Sequence, residues 1–184
     1  MKILIASDIH GSAFYCEQLM AAVEREKAEK ILLLGDLLYH GPRNDLPEGY
    51  APKKVIEMLS AVKEKITCVR GNYEAEVDQM VLPFPVMADY CILESDEAAG
   101  HRIFATHGHH FNPETPPLLR EGDILLNGHT HVPACRDCGI FLYINPGSVS
   151  IPKENSAHSY MILEGGRLTW KDLDGNVYME HALK

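Results

Sequence analysis

The first seventy residues alternate between continuous apolar runs and stretches with helical periodicity. The runs at residues 2–7, 30–34 and 66–70 are apolar almost throughout, which is typical of parallel strands buried on both faces. After Ser12, a candidate N-cap, and again after Pro52, apolar residues recur at helical spacing, so each stretch predicts an amphipathic helix. The order βαβαβ favours a parallel sheet covered by helices.

The second half of the chain has a different pattern, with short β-rich segments separated by turns. Gly165-Gly166 and Asp174-Gly175 have the composition and spacing of hairpin turns. The predicted strands are residues 87–93, 102–106, 124–127, 141–144, 158–163, 167–173 and 177–182. We therefore expect an α/β (α+β) protein with two packed sheets and few late helices. At 184 residues, the chain has the length of one domain, residues 1–184.

Composition narrows the classes of function. With 46% apolar and 23% charged residues, the chain resembles an ordinary globular protein, and we expect neither a membrane span nor a signal peptide. The formal charge of −9 opposes non-specific binding to nucleic acid or anionic lipid. Five cysteines, an odd number, predict reduced thiols and a cytoplasmic location. Cys135 and Cys138 look like half of a zinc knuckle, but a hairpin turn at residues 137–139 fits them better.

Polar side chains follow five of the predicted strands. Open α/β sheets place their chemistry past the carboxyl ends of the strands, so we expect these side chains to line one mouth. Mixed carboxylate, amide and imidazole donors suit Mn²⁺, Fe²⁺, Co²⁺ or catalytic Zn²⁺, with Ni²⁺ a further option and Mn²⁺ our first expectation. Two divalent metal ions need a shared anionic ligand, for which we select Asp36. The predicted ligands are Asp8, His10, Asp36, Asn72, His107, His129 and His131.

Residues 39–52 form a predicted loop with three prolines and two glycines. Loops of this length in compact domains are usually functional, so this loop is a candidate wall of a substrate site. Its Arg43 and Asn44 either contact a substrate phosphate or stabilise the turn. Arginine suits the first role because its planar guanidinium can donate two hydrogen bonds at once.

These motifs resemble those of the calcineurin-like metallophosphoesterases. Asp8-Ile9-His10, Gly35-Asp36, Gly71-Asn72, His107 and Gly128-His129-Thr130-His131 occur in the family's order. The stretches at residues 7–11, 40–44, 47–52 and 145–149 are closer to the small bacterial phosphodiesterases of the YfcE type.

The resemblance implies a two-sheet αββα sandwich that hydrolyses a small phosphoester. Attack would be in line, by a hydroxide that bridges two metals. One metal would be held by Asp8, His10 and His131, the other by Asn72, His107 and His129. Asp36 would bridge them.

One residue departs from the family pattern. The position after Gly-Asn is usually a histidine, commonly a cysteine in the YfcE type, and here it is Tyr73. A tyrosine with a pKa near 10 donates hydrogen bonds but is a poor general acid, so we expect slow turnover of alkyl esters. His109 either lies near the phosphate, in a catalytic role, or supports the ligands. His110 is expected to be a neighbour and not a ligand.

Two classes of function follow. The first is a metal-dependent phosphodiesterase with a small phosphoester substrate and no nucleic-acid or membrane partner. The alternative is a non-catalytic metal-binding scaffold for protein interaction, resembling the retromer subunit. Because all seven predicted ligands are present, the enzyme is favoured. The apolar residues at 82–86 are a candidate patch for a homodimer or higher homo-oligomer.

Overall fold

The computed structural model describes residues 1–183 and contains two mixed β-sheets packed face to face. Its elements in chain order are β1 (Ile3–Ala6), α1 (Ala13–Glu26), β2 (Lys30–Leu33), α2 (Pro52–Ala61), β3 (Ile66–Cys68), α3 (Glu76–Val81), β4 (Tyr90–Glu94), β5 (Arg102–Thr106), β6 (Asp123–Leu126), β7 (Ala134–Asp137), β8 (Phe141–Asn145), β9 (Ser159–Glu164), β10 (Arg167–Asp172) and β11 (Val177–Ala182). The strand orders are β11-β10-β9-β1-β2-β3 and β4-β5-β6-β8-β7. The predicted two-sheet architecture is confirmed.

The βαβαβ half folds as predicted. β1, β2 and β3 are parallel neighbours, with Ile3 paired to Lys30 at the start of the β1–β2 ladder. Ser12 caps α1 by accepting a hydrogen bond from the N–H of Tyr15 at 3.2 Å. Pro52 begins α2, where its missing N–H leaves no helical bond unmade. α1 and α2 bury their apolar stripes against one face of the first sheet.

The core between the two sheets comes from both halves of the chain. It is filled by alternate residues of the central strands, including Ile5, Ile124 and Trp170. Trp170 is fully buried, and its indole N–H donates to the carbonyl of Asn145 at 2.7 Å. This bond ties β10 of the first sheet to β8 of the second.

The outer layer of the second sheet is a loop. Phe104 and Leu125 point away from the core between the sheets, and they are covered by Phe111 and Leu119. The segment 108–122 contains three prolines, which disfavour a helix. Among the described residues, the helical layer therefore lies on the first sheet, and a loop replaces the second helical layer of an αββα sandwich.

Two elements were not predicted from the sequence. α3 is short and has no fully buried residue, so it gives little periodic signal. β7 is an edge strand that pairs only with β8, and its side chains are half-buried or exposed. The predicted turn after β7 is confirmed, because Asp137 Oδ1 accepts the N–H of Gly139 at 2.8 Å.

The large apolar residues of the proposed oligomer patch at residues 82–86 are not exposed, although Pro83 and Pro85 are, and the homo-oligomer itself stays a prediction. Leu82, Phe84 and Val86 are buried in the core beneath the first sheet, because the segment after α3 turns inward. They offer no surface to a second copy. Among residues 1–183, no helix is long and apolar enough to cross a membrane.

The ends of β2 and β3 meet at two glycines. Gly35 has φ +92°, and a Cβ on it would lie 2.3 Å from the amide nitrogen of Gly71. This close approach brings the following residues, Asp36 and Asn72, to the same point at the sheet edge.

We expect Gly35→Ala to destabilise the fold by about 1–3 kcal/mol more than Gly100→Ala. Gly100 also has a positive φ, +85°, but no atom lies within 4 Å of its added Cβ, so it reports backbone strain alone. Urea denaturation of both variants measures the difference. Equal losses of unfolding free energy would mean that the two glycines do not need their close contact.

Candidate metal centre

The seven predicted ligands come together at one edge of the sandwich. Asp8 and His10 follow β1, Asp36 follows β2 and Asn72 follows β3. From the second sheet, His107 follows β5, and His129 and His131 follow β6. Because β1, β2 and β3 are parallel to one another, and β5 is parallel to β6, their carboxyl ends face a common mouth.

A first group of donor atoms contains Asp8, His10 and His131. Asp8 Oδ1 lies 3.4 Å from His10 Nε2 and 3.2 Å from His131 Nε2, and the two nitrogens are 3.2 Å apart. All three side chains are buried. The spacing could hold one metal ion.

A second group is built around His107. Its Nε2 lies 3.4 Å from Asp36 Oδ2, 3.0 Å from Asn72 Oδ1 and 3.2 Å from His129 Nδ1. Asp36 Oδ2 is also 3.9 Å from His10 Nε2 in the first group. Asp8 lies close enough to Asp36 and His107 to share a metal with them as well. The two groups are therefore contiguous, and Asp36 Oδ2 lies between them.

The backbone sets the orientation of three histidine rings. Nδ1 of His10 bonds the carbonyl of Tyr39 at 2.8 Å. Nδ1 of His107 bonds the carbonyl of Leu34, and that of His131 bonds the carbonyl of Ile151, each at 2.6 Å. A carbonyl only accepts hydrogen bonds, so each Nδ1 carries the proton. Nε2 of each ring is then directed into the mouth, and its lone pair becomes available to a metal once any proton on Nε2 has left.

The donor set fits divalent cations. Asp8 Oδ1 is buried and accepts no hydrogen bond from the described residues, although two imidazole nitrogens lie within 3.4 Å. A buried carboxylate oxygen without a partner is costly. Acceptor atoms that converge without protons between them are stabilised by a cation, which would coordinate the oxygen and both nitrogens.

Backbone strain is concentrated at this mouth. Of the nine described non-glycine residues with positive φ, five are predicted ligands: Asp8, His10, Asp36, His129 and His131. Each such residue costs on the order of 1–3 kcal/mol and persists only where its surroundings enforce it. Asp8 is held in this way, because the hydroxyls of Ser148 and Ser150 donate to its carbonyl at 2.9 and 3.0 Å.

Glu74 supports the site and was missed in the sequence. Its buried carboxylate accepts the N–H groups of Asp36 at 2.8 Å, Leu37 at 2.7 Å and Gly71. It thereby joins the segments after β2 and β3. Burial and the nearby Asp36 charge raise the pKa of Glu74, while these N–H groups oppose the rise. In the sequence, Glu74 is marked only by its position two residues after Asn72.

The buried charges shift the pKa values of the ligands. Burial lowers the pKa of His107, but the Asp36 carboxylate and the Asp8 charge outweigh burial and raise it to about 9. Burial raises the pKa of Asp8, yet contacts with His10 and His131 hold it well below its usual range. Burial and the His107 charge lower the pKa of His129. Without metal, His107 is therefore the protonated member of the second group.

A pocket of about 400 Å³ opens over both groups. Tyr73 lines it, but a Cβ on Gly41 would be 2.4 Å from the Tyr73 hydroxyl, so that hydroxyl lies against the loop at residues 39–52. Arg43 also lines the pocket. Asn44 lines it too, although its amide nitrogen donates to the carbonyl of His40 at 2.7 Å, which favours the turn-stabilising role. Lys153, which was not singled out in the sequence, completes this wall.

His109 lies outside that pocket. Its ring centroid is 5.4 Å from that of His107 and 6.2 Å from that of His129, and it lines an adjoining pocket of about 380 Å³. Burial and the charges of His107, His110 and His129 lower its pKa to about 4. This position favours support of the ligands over contact with a phosphate. His110 is exposed beside it.

Both the sequence and the structure are similar to those of known phosphoesterases. Residues 1–166 match the calcineurin-like phosphoesterase superfamily domain. Phosphodiesterase YfcE of Escherichia coli (strain K12) is 47% identical over 171 residues, which cover 92% of this chain and 90% of that protein. The solved structure of YfcE, a phosphoesterase from E. coli, has a TM-score of 0.95 at 44% identity and covers 100% of both chains. Vps29 of Entamoeba histolytica complexed with Zn²⁺ has a TM-score of 0.64 at 20% identity, with 100% of both chains covered, so that likeness concerns the fold alone.

Metal binding at pH 7.5 is expected to release about one proton from His107, because its pKa near 9 keeps it protonated in the metal-free protein. Calorimetry in buffers with different ionisation enthalpies measures this number. His107→Asn should release about one proton fewer. His129→Asn is the matched control, since the lowered pKa of His129 leaves that ring neutral. Unchanged release in His107→Asn would contradict the assignment.

Proposed function

The chain belongs to the calcineurin-like phosphoesterase superfamily, and on that basis we propose that it is a metal-dependent phosphodiesterase acting on a small phosphoester. The observation that carries the proposal is the convergence of all seven ligand side chains around Asp36. The pocket above them has the volume of a small-molecule site.

The residues divide into two ligand sets. Asp8, His10 and His131 would hold one divalent ion, and Asn72, His107 and His129 the other, with Asp36 shared. When bound, two such ions supply a hydroxide nucleophile at neutral pH and offset the charge of the phosphoryl oxygens. We propose Mn²⁺ as the native metal, with Zn²⁺, Fe²⁺, Co²⁺ and Ni²⁺ as competitors, because the set mixes carboxylate and imidazole donors.

The protein's own groups position these ligands. The carbonyls bonded to His10, His107 and His131 fix the ring rotations. The N–H of Tyr73 donates to Asp36 Oδ1 at 3.0 Å, which leaves Oδ2 directed toward both ligand groups. The carboxylate is thus oriented before any metal or substrate arrives, and less orientation is needed during the reaction.

Protonation of the leaving group is the weak point of this site. The Tyr73 hydroxyl packs against Gly41, and a phenol is a weaker acid than the imidazolium or carboxylic acid groups that usually protonate a leaving group. His109 lines a different pocket from Tyr73. We therefore propose that the enzyme favours esters whose leaving groups need little protonation.

The scaffold alternative has less support. A protein that serves only as an interaction platform has no need for five strained residues and three oriented histidines at one mouth.

All five cysteines are free thiols, which is consistent with our proposal that the protein works in the cytoplasm.

Metal-stripped protein is expected to hydrolyse bis(p-nitrophenyl) phosphate only after a divalent ion is restored, fastest with Mn²⁺. Asp36→Asn should lower kcat/KM by roughly a hundredfold or more, because it removes the shared ligand. Asp174→Asn, an exposed acid in a hairpin turn, is the matched control and should keep full activity. Folded protein that binds metal but hydrolyses no diester would refute the proposed function.

The rate is also expected to depend steeply on the leaving group, with aryl diesters cleaved much faster than alkyl diesters. Tyr73→His introduces a group with a pKa near 6.5 and should raise alkyl ester turnover by about tenfold or more, since general acids contribute about 10²–10⁴-fold. Tyr178→His is the matched control and should leave alkyl ester turnover unchanged, because Tyr178 is exposed on β11 and does not line the pocket. Equal rates on aryl and alkyl esters in the wild-type protein would argue against this account of Tyr73.

A further inference from the structure

Two cationic side chains stand on the walls of the pocket over the ligands. Arg43 comes from the loop between β2 and α2, and Lys153 from the segment between β8 and β9. They are 110 positions apart in the sequence. Both side chains are exposed to solvent.

Within the part of the chain that the structure describes, neither cation has an acidic partner within 4.0 Å. Among residues 1–183, none of the ion pairs within 4.0 Å involves Arg43 or Lys153, whereas Arg102 and Lys171 pair with Asp123 and Glu26. Asp36 is the only acid among the described residues that line this pocket, and its Oδ2 faces His10 and His107. In a chain with a net charge of −9, two cations without carboxylate partners at one pocket are a local reversal of charge.

The segment that carries Arg43 is anchored. The carbonyl of Tyr39 bonds His10 Nδ1 at 2.8 Å, and the hydroxyl of Ser12 donates to the carbonyl of Glu48 at 2.6 Å. The N–H of Ala51 donates to the carbonyl of Gly11 at 2.8 Å. The loop is thereby fixed on both sides of Arg43.

The segment that carries Lys153 is anchored to the same ligand group. The backbone N–H of Lys153 donates to the carbonyl of His131 at 3.1 Å, and the carbonyl of Ile151 accepts a hydrogen bond from His131 Nδ1 at 2.6 Å. His10 and His131 belong to the first group, so both cations are positioned from that side of the site.

We propose that Arg43 and Lys153 form a second anion subsite, which selects small phosphodiesters that carry a further anionic group, a phosphate or a carboxylate, beside the scissile phosphorus. The bound metals would already attract the scissile phosphoryl group, so these two side chains are available for a second one. The arginine fork matches the paired oxygens of either anion, and a flexible lysine adds a point charge. The inference rests on the proposed function and names the substrate class for it.

The first test uses p-nitrophenyl phosphodiesters with three retained arms: ethyl, 2-carboxyethyl and 2-phosphoethyl. Release of p-nitrophenol by the Mn²⁺-loaded protein gives kcat/KM for each. We expect one or both anionic arms to exceed the ethyl arm by about tenfold or more. The two anionic arms separate a phosphate preference from a carboxylate preference. Arg43→Gln with Lys153→Gln should reduce the ratio to about one. Lys27→Gln with Lys63→Gln, which also removes two positive charges but from exposed residues outside the pocket, should preserve it.

A binding measurement separates this inference from the proposed activity. Calorimetry compares 3-phosphonopropionate with ethylphosphonate, neither of which can be hydrolysed as a diester. Tighter binding of 3-phosphonopropionate, which carries an additional carboxylate, supports the subsite if it is lost in the double variant, even if no diester is turned over. Equal binding of the two probes, or variants that lower kcat/KM equally for all three arms, would overturn it, because the two cations would then serve only the scissile phosphoryl group.

Discussion

The Asp36 carboxylate is where the segments of the site meet. The backbone N–H of Asp36 donates to the Glu74 carboxylate, and its backbone carbonyl accepts the N–H of His10 at 2.8 Å. Its side-chain Oδ1 accepts the N–H of Tyr73. Oδ2 is left facing His107 from the second sheet. One residue therefore links the segments after β1, β2 and β3 to the second sheet. A change that moves Asp36 disturbs both ligand groups at once.

Burying acids and histidines this close together is unfavourable, because the side chains lose their hydration and like charges repel one another. The fold must therefore hold them in place. The enforcement comes from ordinary packing: the core between the sheets locks the strand ends, and Gly35 and Gly71 approach closely because neither has a side chain. Hydrogen bonds then hold the strained turns, as the serine hydroxyls do at Asp8. The strain at the ligands is offset by burial elsewhere, and a bound cation would satisfy the carboxylate oxygen that the protein leaves without a partner.

The sequence predicted those parts of the site that have a local pattern. Asp8 and Asp36 each follow an apolar strand, and the rule that parallel strands share an edge was enough to place them together. Glu74 was missed because its partners are backbone N–H groups, which the sequence does not distinguish. Lys153 was missed because its relation to Arg43 depends on how a late segment crosses the sheet edge. The loop layer over the second sheet and the edge strand β7 also lack periodicity, so only tertiary packing reveals them.

Tyr73 contacts both Asp36 and the loop at residues 39–52. Its backbone N–H orients Asp36, while its ring reaches the loop that carries Arg43 and occupies space that only a glycine at position 41 leaves free. The same residue therefore contributes to the orientation of Asp36 and to the shape of the pocket wall. A smaller side chain in this position would leave the loop without that contact. Under the proposed function, a substitution of Tyr73 would therefore change the pocket wall as well as any proton transfer, so its effects on substrate choice and on the leaving group would have to be measured together.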